Sequence, residues 1–308
     1  MSEPGRSDLL AEVVRKIAPH SRLARAWNLR GGISAEMIAL ELLEPDGAAR
    51  KLILRRPGAA AQEFAVLRAT RALGLAVPAP LALDSSGQLF PTPYLVIEYI
   101  EGEPDFAPAD RQSFARQFAA QLAAIHRAGG SGADLSFLPA QPPDLDSCCG
   151  GSLTPPGDFW EAGPIHAVLA RAWPFLRRNP HTLLHGDYWP GNVLWRAGRL
   201  AAVIDWEDAV QGDPLFDLAT SRLDLLWILG LDIMEAFTRH YLSEIKVDTT
   251  ALPLWDLVGA LRLARLIGTD LDAWAAFFHP YGRFDITPQS ILAAYRLFTQ
   301  AALRSLAA

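Results

Sequence analysis

Two carboxylates and an amide stand at spacings that invite chemistry. The stretch LLHGDYWPGNVLW, residues 183–195, sets Asp187 five residues before Asn192, and Asp205 follows in AAVIDWED, residues 201–208. The two apolar runs flank a turn-like RAGRL and read as a short hairpin, which would bring all three side chains to one end. An acidic loop between strands is ordinarily a solvated turn, but here Tyr188, Trp189 and Trp195 box it in. Carboxylate and amide oxygens are the hard ligands magnesium prefers, and so few of them leave coordination positions for phosphate and water.

The pattern is that of a phosphoryl-transfer site. One aspartate takes the proton of an acceptor hydroxyl, while an asparagine and a second aspartate hold the metal. The Asp-to-Asn interval is long enough to wrap a loop round an acceptor and return to the metal. Composition allows this chemistry and excludes others. A chain of 308 residues has room for two domains or one two-lobed unit. A net charge of −6 argues against nucleic acid as a partner, since a phosphate-binding surface needs a positive field. The opening MSEPGRSDLLAEVVRKI reads as an amphipathic helix capped by Ser7 or Asp8, not a targeting segment, and LLWILGL is too short to span a bilayer. A cytoplasmic setting, no membrane partner, and a monomer or homodimer are the expectations. The adjacent Cys148 and Cys149 read as reduced loop thiols.

Periodicity supplies the elements that must position these residues. Residues 36–43, the PDG turn and KLILRR form a β-hairpin pattern ended by Pro57 and Gly58. A helix follows with Phe64, Leu67 and Leu73 at helical intervals and Gly74 as its stop. VPAPLAL is extended because each residue before proline leaves the α region, and PYLVIEYIEGE reads as a buried strand running to Gly102. Beyond it, residues 111–128 place Phe114, Phe118, Leu122 and Ile125 on one helical face. Residues 129–157 read as irregular, 159–178 as a helix, and 215–308 as a long helical tail.

HGDYWPGNVLW together with VIDWEDAVQGDPLFDLA resembles the two signature segments of the aminoglycoside phosphotransferase family, which is similar to choline and homoserine kinases. The resemblance spans residues 29–218. It implies an α+β, two-lobed protein-kinase-like fold: a small antiparallel-sheet lobe over residues 1–101 ending in a hinge, and a larger, mainly helical lobe over 102–308. It further implies ATP and Mg2+ as cofactors, and transfer of the γ-phosphoryl group to a small-molecule hydroxyl. In that reading Asp187 is the base, Asn192 and Asp205 hold the metal, and His185 belongs to the catalytic loop, orienting it through hydrogen bonds.

The same resemblance gives the N-terminal pieces their roles. Gly31, Gly32, Ile33 and Ser34 would cover the ATP phosphates, although a Gly-Gly pair alone is more often a plain turn. Arg55 stands where the phosphate-gripping lysine is expected. It is permanently charged and can bind phosphate bidentately. Lys51 shares its face but comes too early. Glu63 is the expected ion-pair partner of Arg55, though alone it would read as a solvated helix carboxylate. The backbone at Glu98, Tyr99 and Ile100 would meet adenine, with Gly102 permitting lobe rotation. Glu207 and Asp208 could widen the metal shell, Asp213 caps a helix start, Asp217 fixes a loop, and His126 faces the core or caps its helix.

The acceptor is less defined. The tail after residue 218 is nearly balanced in charge and rich in Trp, Leu and Phe, which fits a neutral or partly apolar alcohol better than a polycation. The arginine at 55 supports an alternative, a catalytically weak, nucleotide-binding pseudokinase-like regulator. A protein kinase is disfavoured, because GDPLFDLA follows Asp205 almost at once, with no Ala-Pro-Glu segment.

Overall fold

The computed structural model describes residues 5–29, 36–56, 58–130, 134–151 and 158–307. The chain forms two compact units, Met1–Glu101 with Ala202–Glu207, and Gly102–Ala201 with Asp208–Ala308.

In the first unit, helix α1 (Arg6–Ile17) is followed by strands β1 (Arg22–Asn28), β2 (Glu36–Leu43) and β3 (Ala49–Arg56). Helix α2 (Ala60–Ala72) and strands β4 (Pro80–Asp84) and β5 (Tyr94–Glu98) complete it. Among the described residues the strands form one antiparallel sheet ordered β1-β2-β3-β5-β4. The expected hairpin is β2–β3, with Ile38 opposite Leu54 and Leu40 opposite Leu52. Alternation along a strand sends Ile38, Leu40, Leu42, Leu52 and Leu54 to one face. There they pack with Leu10, Val13 and Val14 of α1. Strand neighbours point the opposite way, so Arg55 faces α2, which packs on β4 and β5.

One expectation is corrected here, and one strand is new. The helix α1 starts earlier, with Gly5 as its N-cap, and Asp8 acts from the third helical position by accepting the Gly5 N–H at 3.2 Å. Strand β1 has no clear sequence signature. It is an edge strand on which only Leu23 and Trp27 are half-buried, so its alternation is faint.

The second unit is mainly helical. Helix α3 (Arg111–Gly129) starts where Asp110 accepts the Ser113 N–H at 2.9 Å, and it buries the predicted face. A single turn, α4 (Leu145–Cys148), interrupts the stretch expected to be irregular, and its end carries the buried free thiols. The helix expected over 159–178 is only α5 (Ala162–Ala172), flanked by short 3₁₀ turns, with Glu161 left-handed before it and Pro174 after it. Strand β6 (Thr182–Leu184) pairs with β9 (Val210–Gly212), while β7 (Val193–Arg196) and β8 (Arg199–Val203) form the hairpin expected between the two motifs.

The tail is not one run. It divides into α6 (Leu215–Leu229), α7 (Leu231–Glu244), α8 (Leu252–Ile267), α9 (Leu271–Phe277) and α10 (Pro288–Ala307). Gly230 and Gly268 break it at positive φ, 98° and 57°. Helix α6 is buried on nearly every side because α7, α8 and α10 all pack on it. Among the described residues no helix is long and apolar enough to cross a membrane.

Leu40 is wholly buried on the sheet face that meets α1. Leu40→Ala is expected to cost about 2–5 kcal/mol, the range for emptying a packed leucine site, measured by denaturant unfolding.

Candidate active site

The first unit gathers one guanidinium and three carboxylates. Arg55 is 4% exposed and Glu63 1%. Arg55 Nε donates to Glu63 Oε2 at 2.9 Å, and its Nη2 donates to Asp205 Oδ1 and lies 3.5 Å from Glu207 Oε2. The expected Arg55–Glu63 pair is therefore present and buried, and the guanidinium reaches further, onto Asp205. Asp205 sits at φ 64°, a conformation that aspartate and asparagine tolerate better than most residues. Its neighbour Trp206 is fully buried, with its indole N–H donating to the Val203 carbonyl at 3.1 Å, so this tryptophan packs the segment.

Charge is unevenly compensated in this cluster. Burial pushes the Glu63 carboxyl up to about 7 against the pull of Arg55, with Asp205 and Glu207 adding to the rise. Burial also disfavours the charged form of Arg55, but Glu63, Asp205 and Glu207 outweigh it and hold its pKa above the ordinary value. Lys51 lies elsewhere, on Glu101 at 2.8 Å and 5.2 Å from the centre of the Tyr99 ring.

The second unit builds a rigid loop around Asp187. The buried Asp217 accepts N–H groups from His185 at 2.7 Å and Gly186 at 3.0 Å, and its Oδ2 lies 3.3 Å from His126 Nε2. His126 Nδ1 is 2.6 Å from the Tyr241 hydroxyl. Burial disfavours ionised Asp217, but His126 and the His185 N–H outweigh it and hold its carboxyl below the usual range. Gly186 is required by two facts together: its φ is 84°, and an added Cβ would lie 2.2 Å from the Asp208 carbonyl oxygen. The Asp187 N–H donates to His185 Nδ1 at 3.2 Å, so this ring nitrogen is an acceptor engaged with the backbone. Asn192 Nδ2 lies 2.9 Å from both the Asp187 carbonyl and its Oδ2. Tyr188 is fixed from both ends, by Ser221 on its carbonyl and by its hydroxyl on the Phe118 carbonyl.

Other expected site residues fall as follows. Gly31, Gly32, Ile33 and Ser34 lie outside the described residues. The Glu98 N–H donates to the Ala79 carbonyl at 2.8 Å and its carboxylate accepts the Ala79 N–H at 3.1 Å, so that N–H is committed within the sheet. Gly102 has a packing reason that sequence did not reveal: an added Cβ would stand 2.9 Å from the Trp195 carbonyl oxygen. Asp213 accepts N–H groups from Asn179 and Leu215 and so fixes the start of α6. Trp189 is half-buried, with its ring centroid about 6 Å from those of Phe106 and Phe277. Arg262 of α8, which no local pattern signals, donates through Nη1 to the Gly186 carbonyl.

The chain belongs to the phosphotransferase enzyme family, whose profile matches residues 29–276. It is 30% identical over 192 residues to viomycin phosphotransferase of Streptomyces vinaceus, covering 56% of this chain and 67% of that protein. It is 25% identical over 246 residues to acyl-CoA dehydrogenase family member 11 of Rattus norvegicus, but spans only 30% of that protein's length. Among solved structures, aminoglycoside phosphotransferase APH(4)-Ia in ternary complex with AMP-PNP and hygromycin B superposes with a TM-score of 0.65. That match has 18% identity and covers 96% of this chain and 98% of that one. The shared fold is the protein-kinase-like one expected from the motifs.

A carboxyl whose pKa is raised on folding takes up a proton in the folded state, so its contribution to stability declines as pH rises from the unfolded value toward the folded one. For Glu63 that window runs from 4.5 to about 7. Glu63→Gln, which cannot ionise, should flatten the decline in melting temperature across it relative to the parent protein.

Proposed function

We propose that this chain is an ATP-dependent kinase that moves the γ-phosphoryl group to a hydroxyl of a small molecule. The observation that carries the proposal is the hold on Asp187: its carboxylate meets the Asn192 amide at 2.9 Å, on a loop whose successive N–H groups are fixed by Asp217. Phosphoryl transfer through a loose transition state asks little covalent chemistry of the protein and depends on positioning and electrostatics. In this reading Asp187 orients the acceptor hydroxyl and accepts its proton, and His185 holds the loop through its backbone contact. Arg55, steadied by Glu63, binds the nucleotide phosphates, with Gly31, Gly32, Ile33 and Ser34 over them. The backbone at Glu98, Tyr99 and Ile100 takes adenine through groups other than the Glu98 N–H, which Ala79 already holds.

The donor set suits magnesium. Asn192 offers an amide oxygen and Asp205 a carboxylate, both hard ligands. Among the described residues no group of three or more His, Cys, Asp or Glu side chains could hold a metal by itself. Nucleotide phosphates and water would complete the shell of an ion held by Asn192 and Asp205. When bound, the ion neutralises charge on the phosphate oxygens.

For the acceptor, the half-buried Trp189 beside Asp187, with Phe277 and the exposed Tyr281 in its aromatic cluster, supports a neutral or partly apolar alcohol. One observation favours the second reading, a catalytically weak nucleotide-binding regulator: Arg55 already occupies the carboxylate assigned to the metal.

Two measurements separate the readings. Calorimetric titration with ATP should show magnesium-dependent binding that Asp205→Asn abolishes. ADP release should then be screened over viomycin, hygromycin B, homoserine and apolar hydroxy compounds. With an active acceptor, Asp187→Asn is expected to lower turnover by about 10²–10⁴-fold, the usual worth of a positioned base, while nucleotide affinity is kept. Binding without acceptor-dependent ADP release would favour the regulator, and no binding at millimolar ATP would defeat both.

A further inference from the structure

We infer that Arg262 is a positioning residue for the transfer step, fixing the catalytic loop through the Gly186 carbonyl and standing as counter-charge to Asp187. The inference rests on the reading of Asp187 as the base.

Arg262 lies on α8, far along the chain from the loop it meets. Its Nη1 donates to the Gly186 carbonyl, while Nη2 lies 3.7 Å from Asp187 Oδ1 and 3.8 Å from Asp208 Oδ2. Those last two separations are within range of charge attraction but beyond a normal hydrogen bond. The guanidinium therefore attracts the Asp187 carboxylate without Nη2 claiming a hydrogen-bonding position on it. The arginine is itself steadied, its guanidinium carbon 5.2 Å from the centre of the Phe216 ring, and its side chain is 25% exposed.

The consequence for geometry is specific. The Gly186 N–H is tied to Asp217 on α6 and its carbonyl to Arg262 on α8. Glycine has the widest backbone freedom of any residue, and this one immediately precedes Asp187. Tying both of its polar groups removes that freedom where it would swing the carboxylate. The charge role adds to this. Asp187, Asp208 and Asp224 share one neighbourhood, the charges of Asp187 and Arg262 both acting on Asp224. Arg262 offsets a repulsion that would otherwise splay the loop.

The test compares Arg262→Gln and Arg262→Lys in the full chain. Arg262→Gln is expected to lower kcat by about 10²-fold, the scale of an ångström-level misplacement, with KM for ATP and melting temperature close to the parent's. Arg262→Lys keeps the charge and one donor for the carbonyl, and should recover at least half of that loss on a logarithmic scale. A kcat in Arg262→Gln equal to the parent's overturns the inference, as does an equal loss in both variants accompanied by lost thermal stability. Amide hydrogen exchange over residues 185–192 decides the point even if no acceptor is found. Faster exchange in Arg262→Gln than in Arg262→Lys supports the inference, and unchanged exchange in both overturns it. A parent chain without transfer activity would sink the kinase reading and with it the assignment to the transfer step, whereas the loop-fixing contact to Gly186 stands or falls by the exchange comparison alone.

Discussion

The shape of the loop that carries Asp187 turns on one buried carboxylate. Asp217 has no exposed surface, and an unpaired charge there would cost several kcal/mol, so its oxygens must be fully served. They are served by two consecutive backbone N–H groups and a histidine ring. Consecutive N–H groups converge on one anion only when the chain turns sharply, and the turn is made by Gly186 at positive φ. The shape of the loop is thus a solution to a solvation problem. Because His126 comes from α3 and Tyr241 from α7, the same carboxylate ties those helices to the loop.

A different balance governs the first unit. One guanidinium there meets Glu63, Asp205 and Glu207, so the cluster as a whole is short of positive charge. Arginine suits this position better than lysine would, because its planar fork can address several carboxylates at once. Under the proposed function the deficit has a use. A cation arriving with nucleotide would find Asp205 already ordered, and would share it with Arg55.

Much of this was legible in the sequence, for physical reasons that also set the limit. Helix α3 was readable because it buries one face and leaves the other polar, and the β2–β3 and β7–β8 hairpins because apolar runs flank turn residues, Pro45-Asp46-Gly47 and Ala197-Gly198. The Arg55–Glu63 pair could be anticipated from a resemblance, as could the loop-fixing role of Asp217. Strand β1 could not, since an exposed edge leaves little alternation. The breaks within the helical tail were hidden because α6 is apolar on almost all sides, which erases amphipathic periodicity. Arg262 and the packing role of Gly102 were invisible for a further reason. Both depend on a contact made far along the chain, and neither leaves a local pattern.

The six residues Ala202–Glu207 belong to the first unit although the chain reaches them only after about a hundred residues of the second. Asp205 meets Arg55 across a separation of 150 positions. Such long-range closure is slow, since chain entropy must be surrendered before the contact is gained. During synthesis, Arg55 emerges with Glu63 close at hand but without Asp205 and Glu207. The N-terminal unit therefore cannot complete its electrostatics on its own. Its maturation waits on the ribosome, and a fragment ending at residue 101 would leave Arg55 with two of its three acidic partners missing.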